Sequence, residues 1–155
     1  MVTDDVRDYC ASLSELGVEN APLTHPESRE IRGVLDALGL TFSDCVPSLI
    51  MKADGNPVVV VIRGDTRADF KKIKKALGVG DLRMATPSEF GEITGVPVGA
   101  ARVYNPGLRT LIDKKVFEKE YLTGGSGHFD CSIRVKTADL AKLPRSEVLD
   151  VSKEA

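Results

Sequence analysis

SLIMKADGNPVVVVIRG, residues 48–64, decides the fold. Two apolar runs flank Asp54-Gly55, and an Asp-Gly pair in that setting is the signature of a tight turn between adjacent antiparallel strands. The second run, Val58 to Ile62, is apolar at every position instead of alternating. A strand of that kind is covered on both faces, at the centre of a sheet, so helices or a second sheet must pack on it.

Working outward toward the C-terminus, Thr66 to Leu77 reads as a helix with Phe70, Ile73 and Leu77 inward, Lys71, Lys72 and Lys75 outward, and Gly78 as its stop. A short strand is expected over Leu82 to Met84. Thr86-Pro87-Ser88-Glu89 then places a cap before a proline at the first helical position and starts a helix that ends at Gly95. The stretch GVPVGAARVYNPG, residues 95–107, holds too much proline and glycine for a regular element and predicts a long loop. Leu108 to Asp113 and Glu120 to Thr123 read as strands. The glycines from Gly124 to Gly127 turn the chain into another strand, His128 to Val135, which puts Cys131, Ile133 and Val135 on one face and His128, Ser132 and Arg134 on the other. Thr137 is expected to cap a last short helix, and the charged tail from about residue 145 to fray.

Toward the N-terminus, residues 3–16 form an amphipathic helix pattern, with Thr3 as cap, Val6, Tyr9, Leu13 and Leu16 on one face, and Gly17 as stop. A second helix is expected from Arg29 to Leu38, capped by Ser28 and ended by Gly39. Between the two helices, Ala21 to Pro26 carries two prolines and reads as an extended segment or edge strand containing His25. Strands with antiparallel pairing and helices in between make one mixed α+β domain over residues 1–155.

The composition narrows the function. Twenty-one basic residues against 23 acidic ones leave a net charge of −2, so no overall basicity calls for nucleic acid or an anionic membrane, and any RNA contact is local. Five phenylalanines, three tyrosines and no tryptophan leave little for a multi-base stacking platform. Three scattered cysteines, with no CxxC and no histidine at ligand spacing, speak against a disulfide framework or a metal site. The first residues carry aspartates where a secretory signal is positive, and no apolar stretch approaches the ~18 residues of a membrane span. A soluble cytoplasmic protein is the expectation.

No phosphate-binding P-loop, nucleophile elbow or zinc-protease motif is present. Gly124-Gly125-Ser126-Gly127-His128 suits backbone approach to an anion or a carbonyl oxygen, and it equally suits an ordinary hairpin turn. His128 is an acid/base candidate or a plain strand-end histidine. The lysines of residues 71–75 fit an RNA backbone or a solvated helix face. Cys45 and Cys131 are nucleophile candidates or small core residues.

In order along the chain, THPESREIRGVLDALGL, the 48–78 hairpin and helix, RMATPSEFGEITGVPVGAARVYNP, LIDKKVFEKEYLTGGSGH and VKTADLAKL resemble the YbaK and prolyl-tRNA-synthetase-associated family of aminoacyl-tRNA editing domains. The resemblance covers roughly Leu23 to Val151. It implies a mixed, largely antiparallel, barrel-like sheet with surrounding helices. It also implies a freestanding deacylase that hydrolyses the ester of a mischarged tRNA, tRNAPro carrying a small amino acid, with no cofactor and no metal. The partner would be the acceptor end of an aminoacyl-tRNA, with no role for DNA or membrane.

The resemblance makes Gly125, Ser126, Gly127 and His128 the catalytic loop. Gly95, Pro97 and Gly99 would line the amino-acid pocket, with Gly64 and Asp65 beside it, and the strand residues Pro47, Ser48 and Lys52, with His25, would complete the substrate site. Where most members carry a lysine just before Ser/Thr-Leu, this chain has Pro47 before Ser48-Leu49. Lys52 lies five residues on and, in a regular strand, points to the opposite face. Losing a charged phosphate contact costs about 1.5–3 kcal/mol unless Lys52, Arg63, Arg67 or Arg102 replaces it. The alternative function is therefore a binding module of the same fold that holds an aminoacyl ester, amino acid or nucleotide without hydrolysing it.

Overall fold

The computed structural model describes residues 2–155. At its centre lies the hairpin of β2 (Ser48–Ala53) and β3 (Asn56–Val61), joined by Asp54 and Gly55 at φ 47° and 82°. Two successive positive φ values match the right-handed twist of the flanking strands, which is why Asp-Gly works there. β3 pairs on its other side, in parallel, with β6 (Arg109–Asp113). β6 in turn pairs in parallel with β9 (Ser146–Leu149), and β5 (Leu82–Met84) closes the far edge against β2. The order of this five-stranded mixed sheet is β5-β2-β3-β6-β9.

Side chains along it enter two cores in alternation, and both faces of the unbroken valine run are buried. Ile50, Val59, Val61 and Ile112 face one core, shared with α1 (Asp4–Glu15) and with β1 (Asn20–Thr24), β8 (Cys131–Lys136) and β7 (Tyr121–Gly125). These three strands form a separate antiparallel sheet in the order β1-β8-β7. Met51, Val58, Val60 and Leu111 face the other core, against Ile73 of α3 (Phe70–Leu77) and Val151. Parallel bridges at Cys45 with Thr123 and at Arg102 with Gly125 tie β7 to the segment leading into β2 and to the 100–103 segment, making one seam. The architecture is the mixed α+β arrangement expected, with antiparallel ladders prevailing.

Helix boundaries hold where a local signal sets them. Thr3 accepts from the Val6 N–H, and Thr86 and Glu89 form a reciprocal capping box with Pro87 at the start of α4 (Pro87–Thr94). Gly39 and Gly78 take the left-handed conformation, at φ 69° and 67°, that ends α2 (Ile31–Leu38) and α3 without Cβ strain.

Several expectations give way to long-range pairing. Ser28 does not cap α2; its hydroxyl bonds the backbone of Glu30, which is the residue before the helix. Thr66–Ala68 is β4, not helix, because β10 (Ser152–Glu154) pairs with it antiparallel, and Asp69 caps α3 by accepting from the Lys72 N–H. The tail is accordingly not frayed: β9 and β10 lie in ladders, and the buried carboxylate of Asp113 accepts from Val151 N–H, Ser152 N–H and the Ser152 hydroxyl at 2.8–3.0 Å. Residues 128–130 belong to a turn, so β8 starts at Cys131. Thr137 opens a 3-10 turn and donates its hydroxyl to the carbonyls of Lys119 and Glu120 instead of capping.

Candidate functional site

Where β2, β7 and β8 face α2 and the loop after α4, they enclose an inner cavity of about 350 Å³. That is within the roughly 300–1,000 Å³ range of small-molecule sites. Val34, Leu35, Ile50 and Phe90 make its apolar walls, and Ser48, Thr123 and Ser132 supply hydroxyls. Arg29 and Glu30 are its charged lining residues.

The backbone of β7 runs against this cavity because it ends in two glycines. A Cβ on Gly125 would lie 1.9 Å from the carbonyl oxygen of Ala101, and one on Gly124 would lie 2.3 Å from Val103 Cγ2 and 3.1 Å from the Val46 oxygen. The glycines therefore let three backbone segments, 45–48, 100–103 and 123–125, close to a spacing that side chains would forbid.

Opposite them, Ser132 is 6% exposed and its Oγ lies 2.9 Å from His25 Nε2. His25 Nδ1 lies 2.9 Å from the carbonyl oxygen of Pro26. A carbonyl only accepts, so in the neutral ring Nδ1 carries the proton and Nε2 accepts from the Ser132 hydroxyl. With its proton committed, Ser132 has only lone pairs to offer the cavity. β1 brings His25 to this place by pairing with β8 in the register Leu23 with Ser132 and Thr24 with Cys131.

The residues singled out in the sequence fall in different places. Pro47, Ser48, Gly99 and Gly125 line the inner cavity, with His25 behind Ser132. Gly95, Pro97, Gly127 and His128 line a separate outer cleft of about 500 Å³, together with Arg102. Ser126 is buried in the wall, donating to the Cys131 carbonyl at 2.5 Å and accepting from the His128 N–H at 3.3 Å. The Gly127 N–H is likewise taken, by the Ala100 carbonyl at 3.0 Å. Two N–H groups of the turn thus hold the turn itself. His128 Nε2 sits 3.5 Å from an Asp5 carboxylate oxygen, and the buried Arg102 Nε has no hydrogen-bond partner among the described residues.

Gly64 lies outside both, in a surface groove on the far side of Pro47. Asp65 is held below the usual carboxylate range, first by its hydrogen bond from Arg63, and Arg63 also reaches Glu118 at 3.1 Å. Lys52 sits at the turn end of β2, 3.3 Å from the Gly55 carbonyl oxygen and 4.0 Å from Glu89. Neither Lys52 nor Arg63 puts an ammonium or guanidinium beside Pro47. Cys45 lines the cavity, but burial, with Asp65 and Asp44 nearby, pushes its thiol up to about 11, and it donates to the Phe42 carbonyl at 3.2 Å. A thiol so raised is not a nucleophile near neutral pH.

Sequence reasoning did not select Ser132 or Thr123. Ser132 was legible only as a polar position on a strand, and its histidine partner, just past the end of β1, lies more than a hundred residues away in sequence. No group of three or more potential metal ligands occurs among the described residues, and no helix is long and apolar enough to cross a membrane.

All residues lining the inner cavity, from Ser28 to Ser132, fall within a match to the aminoacyl-tRNA editing domain model over residues 25–143. A proline–tRNA ligase from Desulfotalea psychrophila is 31% identical over 123 residues, 79% of this chain but only 22% of that enzyme. This chain thus spans about a fifth of the length of such ligases. The multifunctional Ser/Thr-tRNA deacylase ProXp-y of Escherichia coli is 26% identical over 152 residues, covering 94% of this chain and 91% of that protein. Among solved structures, a hypothetical protein superimposes with TM-score 0.85 at 25% identity over 97% of this chain and 100% of its own. A candidate trans-editing enzyme for prolyl tRNA synthetase superimposes at 0.83 with 22% identity, over 99% of each chain. With the matched stretch containing the cavity and covering most of the chain's residues, and with a Ser/Thr-tRNA deacylase matching nearly end to end, the chain belongs to the aminoacyl-tRNA editing domain family.

Proposed function

We propose that this protein is a trans-acting deacylase that releases a small amino acid from mischarged tRNAPro in the cytoplasm. The observation that carries the reading is the Ser132–His25 pair on the wall of a small cavity flanked by the glycine end of β7. An aminoacyl ester carries an α-ammonium next to its carbonyl. Ser132, whose own proton points to His25, accepts from that ammonium and so fixes the carbonyl against the backbone of Gly124 and Gly125. Water then adds to the carbonyl carbon, the bond to the ribose oxygen breaks, the ribose oxygen takes a proton, and the amino acid leaves. No protein nucleophile is required, in keeping with a Cys45 thiol raised far above neutrality. The apolar walls and the small volume select small side chains.

Purified protein offered alanyl-, seryl- and cysteinyl-tRNAPro is expected to release at least one of these amino acids. Ser132→Ala, which removes a hydrogen bond to a charged group, should lower kcat/KM by roughly ten- to a hundredfold. Release no faster than the buffer blank from every member of the panel would sink the reading.

Pro47 favours a second reading, since it leaves the strand-end position without an ammonium. In that reading the cavity binds an aminoacyl ester without cleaving it. Pro47→Lys separates the two: hydrolysis that appears only in the variant identifies a binding module, while substantial hydrolysis by the wild type removes that reading.

A further inference from the structure

On the outer side of Pro47 runs a groove of about 580 Å³ that the cavity chemistry does not use. Six large apolar side chains stand exposed on the described surface, and four of them, Ile31, Phe42, Phe70 and Met84, meet in this groove at 36–44% exposure. Apolar residues scattered singly over a surface need no explanation, but a cluster of this kind marks an interaction site. Arg32 lies over the Phe42 ring at 5.4 Å, so this aromatic face already carries a cation.

Its charge is more telling. The β4·β10 ladder sets Arg67 directly opposite Lys153, and both line the groove. Like charges directly opposite one another weaken an antiparallel pair. Both residues are exposed, neither has an ion-pair partner among the described residues, and no carboxylate lines the groove. The ladder carries a repulsion that nothing in the protein relieves, and an anion seated between the two cations would turn it into attraction. An apolar, partly aromatic floor beside an anion seat is the chemistry of a phosphate with an unpaired base.

The groove also adjoins the inner cavity: Ile31, Pro47, Leu49 and Met84 line both. We propose that it seats the single-stranded 3′ end of the tRNA whose aminoacyl group enters the cavity, with a phosphate between Arg67 and Lys153 and a base on Phe70 and Met84. This rests on the reading of the cavity as an aminoacyl-ester site, whether or not that site hydrolyses. It also supplies the phosphate grip that the lysine replaced by Pro47 would otherwise provide.

The test uses the whole protein and an uncharged, fluorescent minihelix of the tRNAPro acceptor arm, with and without its 3′ CCA. Anisotropy should show binding that weakens about tenfold or more when CCA is removed or when Arg67→Glu or Lys153→Glu is introduced, with a shallower salt dependence in the variants. Lys71→Glu and Lys75→Glu, on the solvated face of α3, should change little. Each groove variant replaces a repulsive cross-strand pair by an attractive one, so its melting temperature should hold or rise, and weaker binding cannot then be put down to misfolding.

Absence of binding, indifference to CCA, or equal losses in the α3 variants would overturn the proposal. So would competition by AMP as strong as that by the CCA-ended strand, which would make the groove a free-nucleotide site. Because the probe carries no amino acid, failure of the deacylation panel leaves this measurement standing. Conversely, intact deacylation with groove variants that bind normally sinks the groove alone.

Discussion

Gly125→Ala is expected to destabilise the fold by about 3 kcal/mol, the upper end of what overpacking costs, and to abolish any activity of the cavity. The new methyl would lie 1.9 Å from the Ala101 carbonyl oxygen, 2.8 Å from its carbon and 3.3 Å from the Ala100 oxygen. All three are backbone atoms, so no side-chain rotation relieves the clash, and either β7 or the 100–103 segment must withdraw. The Arg102 to Gly125 bridge lies in that contact. Urea denaturation measures the effect, with Gly80→Ala as control, since a Cβ at Gly80 meets nothing within 4 Å and Gly80 has no positive φ. Equal midpoints for the two variants would show that the seam does not depend on close backbone approach.

Asp113→Ala should cost on the order of 3–5 kcal/mol, the range for uncovering buried partners of a charged group. The carboxylate is fully buried and receives four hydrogen bonds, from Val151 N–H, Ser152 N–H, the Ser152 hydroxyl and Lys115 N–H. Its removal strands donors that water cannot reach and unpins β10. Hydrogen exchange reads this directly: protection at Val151 and Ser152 should collapse well before protection at Val59 and Val60. Uniform loss across all four amides would mean instead that β10 and the central sheet open as one unit. The same variant should weaken minihelix binding, because Lys153 faces Arg67 only while β10 is in place.

The hairpin and its neighbours were legible because each signal lies within a few residues of what it determines. Asp54-Gly55 fixes its own turn, the valine run announces cover on both faces, and Thr86-Pro87 with Glu89 starts α4 where expected. Thr66–Ala68 was not legible, since it runs directly into the helical stripe of Phe70, Ile73 and Leu77 and only a partner over eighty positions away makes it a strand. The tail misled for the same reason: charged and polar by composition, it is held by one buried carboxylate on β6. At the site, the motif order located the cavity's segments, while the pairing of His25 with Ser132 depended on β1 lying beside β8. The turn 125–128 looked like one unit in sequence but faces two spaces, because its N–H groups are spent on Ala100 and Ser126.

The two parallel ladders of the central sheet also bear on how the chain reaches this state. β3 cannot join β6, nor β6 join β9, by a hairpin; each pairing closes a long loop before any hydrogen bond rewards it. Such topologies fold slowly, on a scale of roughly milliseconds to seconds. Until β6 docks, the hairpin exposes one edge of an uninterrupted valine strand, a segment of the kind that adds to copies of itself. Crowded nascent or heat-stressed chains would meet their main hazard there, in the strand that later becomes the best-protected part of the sheet.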